Sequence, residues 1–185
     1  VIDNNGDNNT WIYYSLSSYA RYNYSSSKNA DDYLITPKLN LKKETNYKVT
    51  FEYQTTSSSY AQKLKVLLGK EATADAQIIL LRDFNNITQS SFTIATIYFT
   101  VDEDDDYNLS LYCYSDYNKR NFNIRNLKIE EITALPGAVT DATITPDADK
   151  ELKATLTWTN PVLNHLGTTL FPSDLTKIEI YRNDV

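Results

Sequence analysis

Strict alternation of apolar and polar positions marks the middle of this chain. Tyr47, Val49, Phe51 and Tyr53 are separated by Lys48, Thr50, Glu52 and Gln54, the pattern of an antiparallel strand with one face in a core and the other in water. Leu64, Val66 and Leu68 repeat it until Gly69. Residues 71–76 can hold a short helical turn, and residues 77–81 predict a more continuously apolar strand. Residues 92–101 predict a long strand of β-branched and aromatic residues. Leu109, Leu111 and Cys113 then alternate with Ser110, Tyr112 and Tyr114, which makes Cys113 a small buried hydrophobe. The like-charged run 102–106 lies between these two strands and predicts a solvated hairpin turn.

Two breaks in the pattern are informative. Asp31-Asp32-Tyr33-Leu34-Ile35-Thr36-Pro37-Lys38-Leu39-Asn40-Leu41 joins strand formers to a proline and then to a renewed alternation. Pro37 has no amide hydrogen to give to a ladder, so it makes the first part an edge strand or ends it. Further on, Phe122 and Ile124 fall on even positions, whereas Leu127 and Ile129 fall on odd ones. Alternation cannot change parity without an extra residue, so a β-bulge is predicted near Arg125-Asn126. A bulge re-aims side chains, which makes Asn126 a candidate polar ligand.

Leu135-Pro136-Gly137 reads as a linker, and the texture changes after it. Residues 139–145 alternate, Leu152, Ala154, Leu156 and Trp158 form a second strand, and Ile178, Ile180 and Tyr181 a third. The reading is therefore a first domain over 1–134, a linker over 135–138 and an incomplete second domain over 139–185.

Charge and composition narrow the chemistry. The 185 residues carry a formal charge of -6, which argues against a phosphate-backbone partner, and nucleic-acid binding is not expected. No apolar run approaches the ~20 residues of a membrane-spanning helix, so membrane insertion is not expected either. The single cysteine forbids an intrachain disulfide. The absence of methionine and of a signal peptide suggests an internal piece of a longer, processed protein. The lone His165 has no cysteine, serine or zinc-type spacing around it, and no nucleophile elbow appears, so the chain is not expected to be an enzyme.

Two features carry candidate chemistry. In Val1-Ile2-Asp3-Asn4-Asn5-Gly6-Asp7-Asn8-Asn9-Thr10-Trp11, oxygen-bearing side chains recur at Asp3, Asn5 and Asp7 around a flexible glycine. A tight loop can converge such side chains on one hard cation, or simply form an Asx-rich turn without metal. The EF-hand pattern fails, because its glycine would fall at Asn8 and its glutamate at Tyr14. The second feature is tyrosine, with 15 in the chain. Trp11, Tyr13, Tyr22 and Tyr24, with Tyr14 and Tyr19 nearby, can stack on sugars or a partner protein. The same rings can instead pack on a sandwich rim with their hydroxyls in water.

These stretches resemble one family. Residues 1–11 are similar to the opening of cleaved-adhesin (choice-of-anchor J) domains, and residues 31–41 to their D-x-[YW]-L-[IV]-T-P-x-L-x-L segment. Phe122-Asn123-Ile124-Arg125-Asn126-Leu127-Lys128-Ile129 is similar to their closing strand. The resemblance covers about residues 1–132. It implies an all-β jelly-roll sandwich with structural calcium, held by Asp3, Asn5 and Asp7 together with Asp32 or Asn126. Asn5 stands where the family often has Asp, and Asn8 where it often has Gly. Such domains occur in gingipain haemagglutinin regions and surface proteins of Bacteroidetes. Leu156-Thr157-Trp158-Thr159-Asn160-Pro161 and Ile178-Glu179-Ile180-Tyr181-Arg182 resemble the second and third strands of a fibronectin type III domain, which has about seven strands. The expectation is a secreted or cell-surface adhesin module binding host protein or glycan, with self-association through the incomplete second sandwich. Alternatives are a carbohydrate-binding module attached to a polysaccharide-degrading enzyme, and an architectural spacer.

Overall fold

The computed structural model describes residues 1–133, 135–146, 154–171, 175 and 177. Their contacts divide into two units, Val1–Glu131 and Ile132–Val185. The predicted all-β architecture is what forms. The first unit is a sandwich of two antiparallel sheets, and the second unit contains a two-stranded sheet. Among the described residues no helix is long and apolar enough to cross a membrane.

The first sheet contains β1 (Ile2–Asp3), β4 (Asp32–Ile35), β5 (Leu39–Leu41), β7 (Gln62–Gly69), β8 (Gln77–Ile87) and β10 (Asp105–Cys113). Its order is β1-β4-β10-β7-β8, with β5 also paired to β10. The second sheet contains β2 (Trp11–Tyr14), β3 (Tyr19–Tyr22), β6 (Asn46–Thr55), β9 (Thr93–Phe99) and β11 (Phe122–Ile132), in the order β2-β3-β11-β6-β9. Alternate residues of each sheet face inward, as the period-two pattern requires. Val49, Phe51, Leu64, Val66, Leu68, Leu109, Leu111 and Phe122 are almost wholly buried between the sheets. Each contributes roughly 1.5–3 kcal/mol relative to exposure.

Pro37 ends β4 without making it an edge. β1 pairs on one side of β4 (Ile2↔Tyr33, Asp3↔Asp32) and β10 on the other. Across the gap, β5 resumes pairing with β10 at Tyr107↔Leu39. Thr36 bridges the interruption. Its amide donates to Leu109 O at 2.9 Å, its Oγ1 accepts the Leu109 amide at 3.0 Å, and its carbonyl accepts from Asn108 Nδ2 at 2.8 Å.

Three expectations need correction. Residues 102–106 are not a hairpin turn, because β9 and β10 lie in different sheets. The run crosses between sheets, and its charge is partly offset by Lys70 on Glu103 and Asp105, Lys42 on Asp104, and Lys38 on Asp106. Residues 71–76 form bends and turns rather than a helical turn. The strand begun at Gln77 continues to Ile87 as a sheet edge with Ile78 and Leu80 exposed. Phe84 and Ile87 hold that longer strand to the core through register shifts, with Phe84 5.7 Å from the Tyr53 ring.

The predicted break in the last strand falls at Asn126, whose φ of 54° lies in the left-handed region. The second unit pairs β12 (Thr140–Pro146) with β13 (Ala154–Thr159). Within this unit, two residues of the 135–138 stretch bond to the segment around His165. Gly137 donates to Leu163 O at 3.1 Å, and the Leu135 amide donates to His165 Nδ1 at 3.1 Å. Leu152 and the strand expected at Ile178, Ile180 and Tyr181 lie outside the described residues.

Candidate functional site

The N-terminal loop is shaped by its own side chains. Gly6 and Asn8 both take φ of 63°, the left-handed conformation that glycine and asparagine tolerate best. Asp3 Oδ1 accepts the Asp7 amide at 3.2 Å and Asp3 Oδ2 the Asn8 amide at 2.8 Å. Asn5 Oδ1 also accepts the Asp7 amide, and Asp7 Oδ1 accepts that of Asn9. The loop is clamped to the segment before β4. Asn4 Nδ2 donates to Asp31 Oδ2 at 2.7 Å and Asn5 Nδ2 to Asn29 O at 2.8 Å.

Beneath this loop lies uncompensated negative charge. Asp32 is fully buried, opposite Asp3 in the β1–β4 register and Cys113 in the β4–β10 register. Its Oδ2 accepts the Asp31 amide at 3.1 Å, whereas Oδ1 has no hydrogen bond of ordinary geometry among the described residues. Asp7 Oδ2 and Thr10 Oγ1 are likewise buried without a hydrogen bond of ordinary geometry. Burial pushes the Asp32 carboxyl up to about 6, and the charges of Asp3 and Asp7 add to the shift. The Asp31 amide and the nearby Thr10 hydroxyl oppose it. The Tyr22 phenol is raised by burial first, then by Cys113, Asp32, Asp7 and Asp3.

The sequence-predicted ligands therefore separate. The charges of Asp3 and Asp7 act on Asp32, and one buried oxygen each of Asp7 and Asp32 lacks a hydrogen bond of ordinary geometry among the described residues. That donor set is made of hard oxygens and suits a calcium-like cation. Among the described residues no three His, Cys, Asp or Glu side chains form a ready-made metal cage, so further ligands would come from Asn5, Thr10, main chain or water. Asn126 is not brought to the loop. It stands four residues beyond Phe122, the partner of Tyr22, about 13 Å along the strand. There its Nδ2 donates to Glu52 Oε1 at 2.6 Å.

The candidate ligand aromatics separate too. Trp11 is 3% exposed and Tyr22 2% exposed, so both are corrected from ligand contacts to core residues. Even-numbered Tyr22 and odd-numbered Trp11 are register partners across β2 and β3, with ring centroids 5.9 Å apart and planes tilted by 59°. The Trp11 indole donates to Asp32 O at 3.3 Å and so roofs the acidic cluster. Tyr13 is exposed. Tyr24 is half-buried and lines an open polar depression of about 560 Å³ with Asp7, Asn9, Ser26 and Lys28.

A second aromatic surface joins Tyr14 and Tyr19, already among the stacking rings expected from the sequence, to Ile12, Arg21, Phe92 and Arg125, which the sequence reading did not select. The outer face of β2 and β3 presents Ile12, Tyr14, Tyr19 and Arg21. The Arg21 guanidinium lies 4.8 Å from the Tyr14 ring and 5.3 Å from the Tyr19 ring. Tyr19 is 6.3 Å from Phe92, over which Arg125 sits at 3.8 Å. Arg125 Nε and Nη2 donate to Glu52 Oε2 at 2.9 and 2.6 Å. Hydrogen bonds from Asn126 and Arg125 hold the Glu52 carboxyl below the usual glutamate range. Parity held the signal: once Trp11 and Tyr22 face inward, Ile12, Tyr14, Tyr19 and Arg21 must face out.

No family model matches the chain, and no curated protein matches it. Among solved structures, it is similar to cleaved adhesin domains of Lys-gingipain from Porphyromonas gingivalis. The K1 domain is 13% identical, with 70% of this chain and 88% of that chain covered and a TM-score of 0.56. The K3 domain is 16% identical over the same shares, with a TM-score of 0.57. The likeness supports the cleaved-adhesin fold. At this identity it speaks to fold and not to ligand.

Proposed function

We propose that this chain is a non-catalytic binding module of adhesin type, secreted or displayed at a cell surface, whose sandwich presents exposed rings and polar loops to a host protein or glycan. One observation carries the reading. The sandwich buries Trp11, Tyr22, Phe51 and Phe122 almost wholly, yet the β2–β3 hairpin puts Tyr13 67% into solvent and exposes Leu16 completely. Apolar side chains clustered on a rigid hairpin have no role in the core and suit recognition of a partner. A glycan array run beside capture of host matrix proteins tests the reading, with Tyr13→Ala and Leu16→Ser expected to weaken whichever interaction is found. Binding to neither would favour an architectural spacer. A carbohydrate-binding module attached to a degrading enzyme is the second reading, favoured by the aromatic face of Tyr14, Tyr19 and Phe92.

Calcium belongs to the same proposal as a brace for the hairpin. The partnerless oxygens of Asp7 and Asp32 support it, since a buried unpaired carboxylate is costly until a countercharge arrives. Asp3, Asp7 and Asp32 would hold the ion, which would neutralise their mutual repulsion and fix the loop against β4. Calcium at about a hundred times its Kd then adds about 2.7 kcal/mol to stability. The expected result is a higher unfolding midpoint with calcium than with chelator, a gain lost in Asp3→Ala and in Asp32→Asn. An identical melt in both conditions removes the brace. The second unit extends the proposal as a fibronectin-like spacer that takes part in self-association.

A further inference from the structure

On the face formed by Tyr14, Tyr19, Arg21 and Phe92 the cation is held more firmly than Arg120, which also lies over two rings, Tyr24 and Tyr60, but with one hydrogen bond of 3.5 Å to the Tyr24 hydroxyl. Lys38, Lys42, Lys48, Lys63, Lys70 and Arg125 each have a carboxylate at ion-pair distance. Arg21 has none among the described residues. Its Nε donates to Asn123 Oδ1 at 3.0 Å and its Nη2 to the Tyr19 hydroxyl at 2.7 Å. Both acceptors are neutral, and Asn123 is itself 4% exposed. Among the described residues Nη1 makes no hydrogen bond. The guanidinium is thus fixed in place by a buried amide and two rings, with its charge uncompensated in a protein of net charge -6.

We infer that this face binds a saccharide bearing a carboxylate, as uronic and sialic acid residues do. The inference rests on the binding-module reading above and names its ligand class. The ligand follows from complementarity. A planar, immobilised guanidinium accepts a carboxylate through parallel hydrogen bonds, and Tyr14, 37% exposed beside Tyr19, offers the adjoining apolar surface on which a sugar ring stacks. Holding Arg21 against Asn123 and Tyr19 meets much of its ordering cost before the ligand arrives. Arg125 cannot serve in the same way, because Glu52 already occupies it. The acid therefore docks at Arg21, and the chain extends toward Phe92.

The test uses the whole chain and two matched pairs of probes: oligogalacturonate against its carboxyl-reduced form, and sialyllactose against lactose. The acidic member of at least one pair is expected to bind about tenfold or more tightly than its neutral counterpart. Arg21→Gln should remove that preference, and Arg21→Lys should restore part of it, since the charge returns without the fork. Comparison of the probes on the unaltered protein needs no variant to fold. Equal affinity for acidic and neutral members overturns the inference, as does an acid preference unchanged in Arg21→Gln. Capture of a matrix protein with no saccharide bound overturns the inference and leaves the binding-module reading standing. Absence of any ligand removes both.

Discussion

Cys113 shows how one side chain's surroundings decide its chemistry. It is fully buried opposite Asp32, with Sγ 3.5 Å from Ser115 Oγ. Burial pushes its thiol up to about 12, against a weaker pull from Ser115. The thiolate is the reactive form, so an alkylating reagent should label Cys113 only after unfolding, with a labelling rate that tracks denaturant in a mass-spectrometric assay. Prompt labelling of the native protein at neutral pH would refute its burial. The same shift sets the sign of the pH dependence. A thiol with a raised folded pKa contributes its full stability below the unfolded value near 9, and loses it as pH climbs from about 9 toward 12. Burial raises the phenols of Tyr22, Tyr33 and Tyr112 as well, so their contributions fade over a higher alkaline range. Urea midpoints should be flat from pH 7 to 8.5 and then decline. A protein equally stable at pH 10.5 would contradict these environments.

At the scale of elements, the junction of β4 and β5 is the part of the sheet most dependent on one side chain. Leu109 is fully buried, and the Thr36 hydroxyl is the acceptor for its amide. Thr36→Val keeps the shape and leaves that amide without a partner, at a cost of about 1–3 kcal/mol. The loss should appear as a lower urea midpoint with an unchanged slope, whereas Thr36→Ser should hold most of the stability. Indifference to Thr36→Val would mean that the break at Pro37 needs no patch. This junction also marks the limit of what the sequence reveals. Proline's missing donor is local chemistry, so the interruption at Pro37 was legible. That β1 would cover the other side of β4 depended on a pairing between residues some thirty positions apart, which periodicity does not report. The parity change at Asn126 was legible for the same local reason, but its partner Glu52 was not. In the candidate site, the Asx-rich loop could be read from spacing, while the burial of Trp11 and Tyr22 could not. An aromatic residue in an alternating strand faces in or out according to register, and register was set by β11.

For the whole molecule, the distribution of the core predicts how it unfolds. Every buried cluster residue, from Trp11 to Ile124, belongs to the first unit. Among the described residues of the second unit, Leu170 is the one buried hydrophobic side chain. A unit that contains its own core folds as its own cooperative block. Calorimetry of the full chain should therefore show a major transition belonging to the first unit and a separate, smaller one from the second. A chain ending at Thr133 should keep the major transition within about 2 °C, because a shift of 1 kcal/mol in a domain of this size moves the midpoint by only a few degrees. Calcium should raise the major transition alone, since Asp3, Asp7 and Asp32 all lie in the first unit. One transition that drops sharply on truncation would show that the two units share their stability, and calcium raising both transitions would mean that the cation is not confined to the N-terminal loop.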